Sequence, residues 1–328
     1  MKQIAIVVIL ASVLGMIWHT SAIEGEVSSA ETLPHMEVTM CTTADCEQLF
    51  IDAITTATET IHCAFFSFNL NRLHEALQNS TATKLVIVDG DYTSLKDTFI
   101  VHETRSAYMH NKFCIIDEHI VLTGSFNPTY NGRDKNDNNV LTIYSPTVAA
   151  TYMWYFNQLA TETYARERGE RFRPEIPRRY THHNNTITIC FTRGGNCREL
   201  IREELLKAEQ AITLMQFTLT DDLTTQTIIQ KQYENITVKG IFDRTLITQY
   251  SGFHEMQHHN LSIIRNCGSG KMHHKVIIID DHTVLTGSMN PSRNADVNND
   301  ENLVIVRDRK IAEKYLNEFN RLHTSCTT

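Results

Sequence analysis

The chain has 328 residues, 41% of them hydrophobic, enough for one large or two medium domains with a sizeable core. Lys and Arg total 30 against 38 Asp and Glu, a formal charge of −8. That balance disfavours a function built on a broad basic surface for polyanions, while leaving room for a local basic groove.

Taken in chain order, the first feature is "MKQIAIVVILASVLGMIWHTSA" (1–22). One positive charge, Lys2, precedes an apolar run from Ile4 to Trp18, and Thr20 and Ala22 are small residues suited to cleavage after Ala22. The run is short for a membrane span of about 20 residues. It reads as a cleaved secretory signal, the alternative being an uncleaved anchor. The expected location is therefore secreted or periplasmic, or else tethered at a membrane. The eight cysteines fit export: Cys41/Cys46 and Cys190/Cys197 are placed to pair, and Cys63 and Cys114, in strand-like runs, are expected as buried thiols.

The rest of the chain is a duplication. "MHNKFCIIDEHIVLTGSFNP" (109–128) and "MHHKVIIIDDHTVLTGSMNP" (272–291) share 14 of 20 positions without a gap. Upstream, "CTTADCEQLFIDAITTATETIHCAFFSF" mirrors "CFTRGGNCRELIREELLKAEQAITLMQF". Each copy predicts a strand, a Cys pair, a helix and a second strand. Helical spacing places Leu49, Phe50, Ala53, Ile54 and Ala57 on one face, and likewise Leu200, Ile201, Leu205 and Ala208. "KLVIVD" (84–89) and "VKGIFD" (238–243) read as buried strands, and helical runs close the halves at Thr147–Ala165 and Lys310–Leu322. The alternation predicts an α/β architecture in each half, 36–165 and 186–325. From Asp89 to His110 is 21 residues, and from Asp243 to His273 is 30, so the first half has a shorter connection by nine. Between the halves, 166–185 carries six arginines and two prolines and reads as a linker, either a solvated surface or a patch for anionic substrate.

The repeated phrase carries chemistry. Alternate strand residues share a face, so His110 and Lys112 project together, as do His273 and Lys275. Asp117 and Asp280 mark the far strand ends and suit structural caps. A turn then brings Ser125 and Asn127, or Ser288 and Asn290, beside the strand. Lysine, hydroxyl and carboxamide donate to anionic oxygens, and lysine repels a metal cation, so the expected guest is a phosphate and no metal. The imidazole is left for nucleophilic or acid–base work. Two copies packed about a pseudo-twofold would place two histidines across one phosphate, suited to in-line displacement in two steps. The other histidines, in "HHNN" (182–185), His254 and "QHHN" (257–260), complete no ligand spacing and read as exposed loop residues.

H-x-K-x4-D followed by G-S-x-N resembles the signature of the phospholipase D superfamily of phosphodiesterases, in two copies that together cover nearly all of the chain after residue 36. In layout the halves resemble the small exported bacterial nuclease of that superfamily, fused in tandem, and also its mitochondrial cardiolipin hydrolase branch. The resemblance implies two duplicated α/β halves, mixed sheets with flanking helices, sharing one site about a pseudo-twofold. It implies a phosphohistidine intermediate, no cofactor and no obligate protein partner, so a monomer with pseudo-dimeric halves is expected. The family usually places an acid eleven positions after the motif Asn. Here that is Glu301 in the second half, but Asn138 in the first, with Asn136 matching Asn299. Glu301 could support His273 or reach across to His110, and family precedent makes His110 the nucleophile. The motif fixes the reaction rather than the substrate. Phospholipid, with a membrane surface as a further partner, is the favoured reading. A metal-independent nuclease on DNA or RNA is the alternative, opposed by a net charge that moves from −8 to −9 once Lys2 leaves with the signal. A non-catalytic phosphate-binding module is the third.

Overall fold

The computed structural model describes residues 33–169, 179–183 and 185–327. The apolar prefix and part of the arginine-rich segment, 170–178 and 184, lie outside them. Among the described residues no helix is long and apolar enough to cross a membrane.

The first half runs β1 (His35–Met40), α1 (Cys46–Thr56), β2 (Thr60–Phe65), α2 (Asn71–Asn79), β3 (Thr83–Asp89), β4 (Ile100–Glu103), β5 (Lys112–Ile116), β6 (Ile120–Gly124), α3 (Tyr130–Asp134), β7 (Asn139–Tyr144) and α4 (Pro146–Glu167). The second runs β8 (Tyr180–His182), β9 (Ile187–Phe191), α5 (Cys197–Leu206), β10 (Ala211–Gln216), α6 (Asp222–Tyr233), β11 (Thr237–Phe242), α7 (Gly252–His258), β12 (Ser262–Arg265), β13 (Lys275–Ile279), β14 (Thr283–Gly287), α8 (Arg293–Val297), β15 (Asn302–Arg307) and α9 (Arg309–Thr327). Helix starts carry side-chain caps: Asp45 accepts from the Gln48 amide, Ser145 caps α4 ahead of Pro146, and Asp221 caps α6.

The two sheets repeat one plan. The first has the order β1-β7-β6-β5-β2-β3-β4, and the second has β9-β15-β14-β13-β10-β11-β12, extended by β8 beyond β9. In each, β2/β3/β4 or β10/β11/β12 pair in parallel and every other neighbour is antiparallel, giving mixed sheets. The longer connection in the second half is accounted for by α7, between β11 and β12, which has no counterpart between β3 and β4.

Alternation along the strands builds three apolar layers. Phe113 and Ile115, with Val276 and Ile278, enter a central core shared by both sheets, α4 and α9. Cys114 and Ile116 turn outwards beneath α1 and α2, while Ile277 and Ile279 do so beneath α5 and α6. Helix α4 buries Val148, Tyr152, Tyr155, Phe156 and Leu159, as a helix placed between layers must.

Four disulfides are present: Cys41–Cys46, Cys63–Cys114, Cys190–Cys197 and Cys267–Cys326. The second corrects the expectation of buried thiols. Antiparallel pairing of β2 with β5 sets Cys63 directly opposite Cys114, with Cα atoms 4.1 Å apart, a register that a sequence separation of 51 does not reveal. A second correction concerns the histidines read as exposed: His183 is buried and bonds Ser145 Oγ at 2.8 Å.

Non-reducing peptide mapping should recover these four links and no free thiol. Replacing both Cys63 and Cys114 by Ala should lower stability in urea by about 3 kcal/mol, because the link closes a long loop of the unfolded chain.

Candidate active site

Each histidine sits just ahead of a strand and is pinned by the other half. The His110 amide donates to Asp300 O at 2.9 Å, and the Asp300 amide returns a bond to Tyr108 O at 2.8 Å. In mirror fashion His273 N donates to Asp137 O at 2.9 Å, and Asp137 N to Lys271 O at 2.8 Å. Within its own half, each motif is held by the carboxylate that ends or follows a parallel strand. Met109 N donates to Asp89 Oδ2 at 3.0 Å and Met272 N to Asp243 Oδ2 at 2.8 Å.

The side chains cross over in the same way. His110 Nδ1 bonds Glu301 Oε2 at 2.7 Å. His273 Nδ1 bonds Asn138 Oδ1 at 2.9 Å and Ser125 O at 3.1 Å. Asn138 Nδ2 donates to Gly132 O and Asn136 O, which fixes its oxygen toward the imidazole. All three partners accept, so both rings carry their proton on Nδ1 and keep the Nε2 lone pair. Neither Nε2 has a hydrogen-bond partner among the described residues. Glu301 thus reaches across to His110, and the amide at the matching position of the first half reaches across to His273.

Ser125 and Ser288 are placed differently from the phosphate-binding position expected of them. Both are fully buried. Ser125 Oγ donates to Asn138 Oδ1 at 3.0 Å, and Ser288 Oγ donates to Glu301 Oε2 at 2.8 Å. Each also accepts the amide of the next residue on, Asn139 or Asn302, at 3.0 Å. Their hydrogens are spent on the groups behind the histidines. The preceding glycines are required there: a Cβ on Gly124 or Gly287 would lie 2.4 Å from the carbonyl oxygen of Asn139 or Asn302. Asn127 and Asn290 are half-buried, with Oδ1 buried and unpartnered in both copies and no hydrogen bond on Nδ2 among the described residues.

Lys112 Nζ donates to His110 O at 2.6 Å and Lys275 Nζ to His273 O at 2.7 Å, one donor of three used in each. Phe66 and Phe217 lie against the imidazoles at 4.6 and 4.4 Å and under the ammonium groups at 5.2 and 4.7 Å. Burial pushes the Lys112 pKa down to about 7, against the pull of Glu301 and Asp89. Burial, followed by repulsion from Lys112, holds Lys275 well below the usual lysine range. His110 is pushed down to about 4 by burial, opposed by Glu301. His273 is pushed well below the ordinary value by burial, then by Lys275, Lys112 and His110. The hydrogen bonds that cross from each half to the other's imidazole bring the two motifs into one site. Groups whose charged forms are all disfavoured by burial would regain protons on an anion bound among them, so the site suits an anionic guest.

Asp117 and Asp280 stand away from this cluster. Asp117 accepts the amides of Thr58, Glu59 and Thr60, and Asp280 those of Glu209, Gln210 and Ala211, at 2.7–2.9 Å. They tie the hairpin turns, where both aspartates have positive φ, to the start of β2 or β10. His274 turns to the opposite face from His273, fully buried against Asn139 Nδ2 at 2.8 Å. Sequence reading passed over Asp89, Asp243, Phe66 and Phe217. The available signal was that these four keep their identity at matching positions of the weakly similar flanks.

Two imidazoles with free Nε2 atoms, each beside a buried lysine, suit displacement at phosphorus, and the class that fold and site together define is a phosphodiesterase. A family model described as "Cardiolipin synthase, PLD-like domain" matches residues 50–160 and again 201–323. The chain belongs to this phospholipase D-like family. A "Phospholipase D" of Rickettsia prowazekii is 36% identical over 143 residues, 43% of this chain and 70% of that protein. A "Mitochondrial cardiolipin hydrolase" of Xenopus tropicalis is 30% identical over 119 residues, 36% of this chain and 57% of that protein. The crystal structure of a phosphatidylserine synthase from Haemophilus influenzae covers 90% of this chain and 89% of its own, with a TM-score of 0.63 at 13% identity, a likeness of fold.

Replacing Asp280 by Ala should destabilise the protein by about 2 kcal/mol, since three amides lose a charged acceptor. Its carboxyl is held below the usual range, its burial outweighed by those amide bonds. The contribution is therefore present above the ordinary carboxylate pKa and should fade as pH falls through the depressed one, so wild type and variant should converge in acid.

Proposed function

We propose that this protein hydrolyses phosphodiesters, phospholipids foremost, through a covalent phosphohistidine on His110. The observation that carries this reading is the unequal support of the two rings: a carboxylate behind His110 and an amide behind His273. A carboxylate on Nδ1–H raises the electron density at Nε2 and stabilises the cation formed when that atom bonds phosphorus. A ring that must give up a proton does better without one, because its conjugate acid is stronger.

The steps follow. The diester binds with its non-bridging oxygens on Lys112, Lys275 and the Nδ2 groups of Asn127 and Asn290. Its negative charge offsets the crowding of cations and favours protonation of His273. His110 Nε2 forms a bond to phosphorus as the bond to the leaving oxygen breaks, and that oxygen takes the His273 proton. Neutral His273 then removes a proton from water, whose oxygen attacks phosphorus and releases His110. Lysines occupy the positions where a metal would otherwise neutralise charge, and Ser125, Ser288 and Glu301 position the rings. The lipid preference is supported by the names of the relatives and by exposed aromatic groups at the rim, Tyr92 and Tyr108. The four disulfides fit an oxidising compartment, and a single chain that supplies both motifs needs no second copy to complete the site.

His110→Asn and His273→Asn should each lower kcat on phosphatidylglycerol by a factor on the order of 10³ or more. Quenching in alkaline detergent with radiolabelled diester should trap a phosphoenzyme in wild type and none in His110→Asn; a trapped adduct in that variant would transfer the nucleophile's role to His273. Cleavage of single-stranded DNA with no lipid product would replace the lipid preference by the nuclease reading. EDTA should leave turnover unchanged.

The pH profile has a defined sign. The reaction needs a charged lysine, a proton on His273 and a neutral His110. Accordingly kcat/KM should fall as pH drops through about 4, where His110 gains a proton, and should fall as pH rises, first through the depressed range where free His273 loses its proton and more steeply above about 7, where Lys112 loses one too.

A further inference from the structure

The two rims of the site are not alike, although the motifs inside them are. The ungapped repeat pairs Tyr108 with Lys271, each directly before the Met-His of its copy. The matching carboxylates Asp89 and Asp243 are followed by Gly-Asp-Tyr in the first half and by Arg-Thr-Leu in the second. On the His110 side, Phe66, Tyr92 and Tyr108 form one aromatic group, with ring centroids 4.2, 5.4 and 5.8 Å apart, and Asp91 is exposed beside it. On the His273 side, Lys271 is exposed with Nζ 5.5 Å from the Phe217 ring, and it repels Lys275. Arg244, directly after Asp243, is exposed, its amide donating to Asn266 Oδ1 at 2.9 Å and one guanidinium nitrogen to Cys267 O at 3.5 Å, with its other donors unspent among the described residues. One rim is aromatic and acidic; the other is cationic.

We infer that the preferred substrate is a phosphodiester whose leaving alcohol carries a second phosphate, received by Lys271 with Arg244. The inference rests on the assignment of His110 as nucleophile. In an in-line displacement the leaving oxygen departs opposite the attacking atom, hence toward His273 and its cationic rim. A cationic leaving group such as choline would meet Lys271 with like charge, whereas an anionic one gains an ion pair at the edge of a poorly hydrated site. A lipid with two phosphates and a nucleotide chain both offer this chemistry.

The test uses pairs that differ in the leaving group. Cardiolipin releases a phosphatidylglycerol and phosphatidylglycerol releases glycerol; both are diluted in neutral detergent micelles. The nucleotide pair is dithymidine monophosphate with and without a phosphate on the leaving nucleoside. Wild type should favour the member with the charged leaving group by about tenfold in kcat/KM, in the lipid pair or the nucleotide pair according to the source. Lys271→Ala should reduce that ratio about fivefold, the scale of one exposed ion pair, and Lys271→Tyr, which copies the first rim, should do the same. A wild-type ratio near one in both pairs, or a ratio unmoved by either variant, overturns the inference while leaving diester hydrolysis intact. Absence of turnover on all four and on bis(p-nitrophenyl) phosphate overturns the hydrolytic reading and this inference with it.

Discussion

Each site histidine takes its Nδ1 partner and its backbone acceptor from the opposite half, and this exchange constrains everything around it. His110 is oriented by Asp300 and Glu301, and His273 by Asp137 and Asn138. Neither half contains a complete imidazole environment. The pseudo-twofold is therefore a chemical requirement as well as a packing arrangement, and the halves must dock in one register for either ring to present Nε2.

The buried polar interface enforces that register. Asn302 of the second half bonds Thr123 and Asn111 of the first, while Asn139 of the first bonds His274, Thr286 and Tyr315 of the second. Buried polar groups are costly when unpaired, so a slipped docking would forfeit several bonds at once. Around this centre the scaffolds diverge. Asp300 is held by Arg105 and by Arg193, which also pairs with Glu162, all close to Glu301. The matching Asp137 has Arg321 at 3.6 Å, itself paired with Glu318. The carboxylate behind His110 thus sits in a denser ionic frame than the amide behind His273.

Much of the fold was legible because it rests on local patterning. Strand runs such as "FCII" and "VIII", the helical stripes of α1 and α5 and the ungapped repeat are properties of neighbouring residues, and the sheets follow them. The extra helix α7 was legible only as added length. Cys63–Cys114 and buried His183 were misread for one reason: each depends on which strand or helix lies alongside, a fact of pairing rather than of pattern. The serines were misread because a hydroxyl near a phosphate site and a hydroxyl behind the imidazole have the same sequence signature.

The amino-acid sequence determined the duplication, the α/β class and the residue types that could meet a phosphate, since all three reside in spacing and periodicity. It also exposed the replacement of an acid by Asn138. Only the tertiary structure decided which ring that replacement serves, because the partners are 135 and 191 residues apart and meet through docking of the halves. The rim asymmetry is of the same kind. Tyr108 and Lys271 are one substitution in an alignment, and only the docked halves set them beside different histidines of one site.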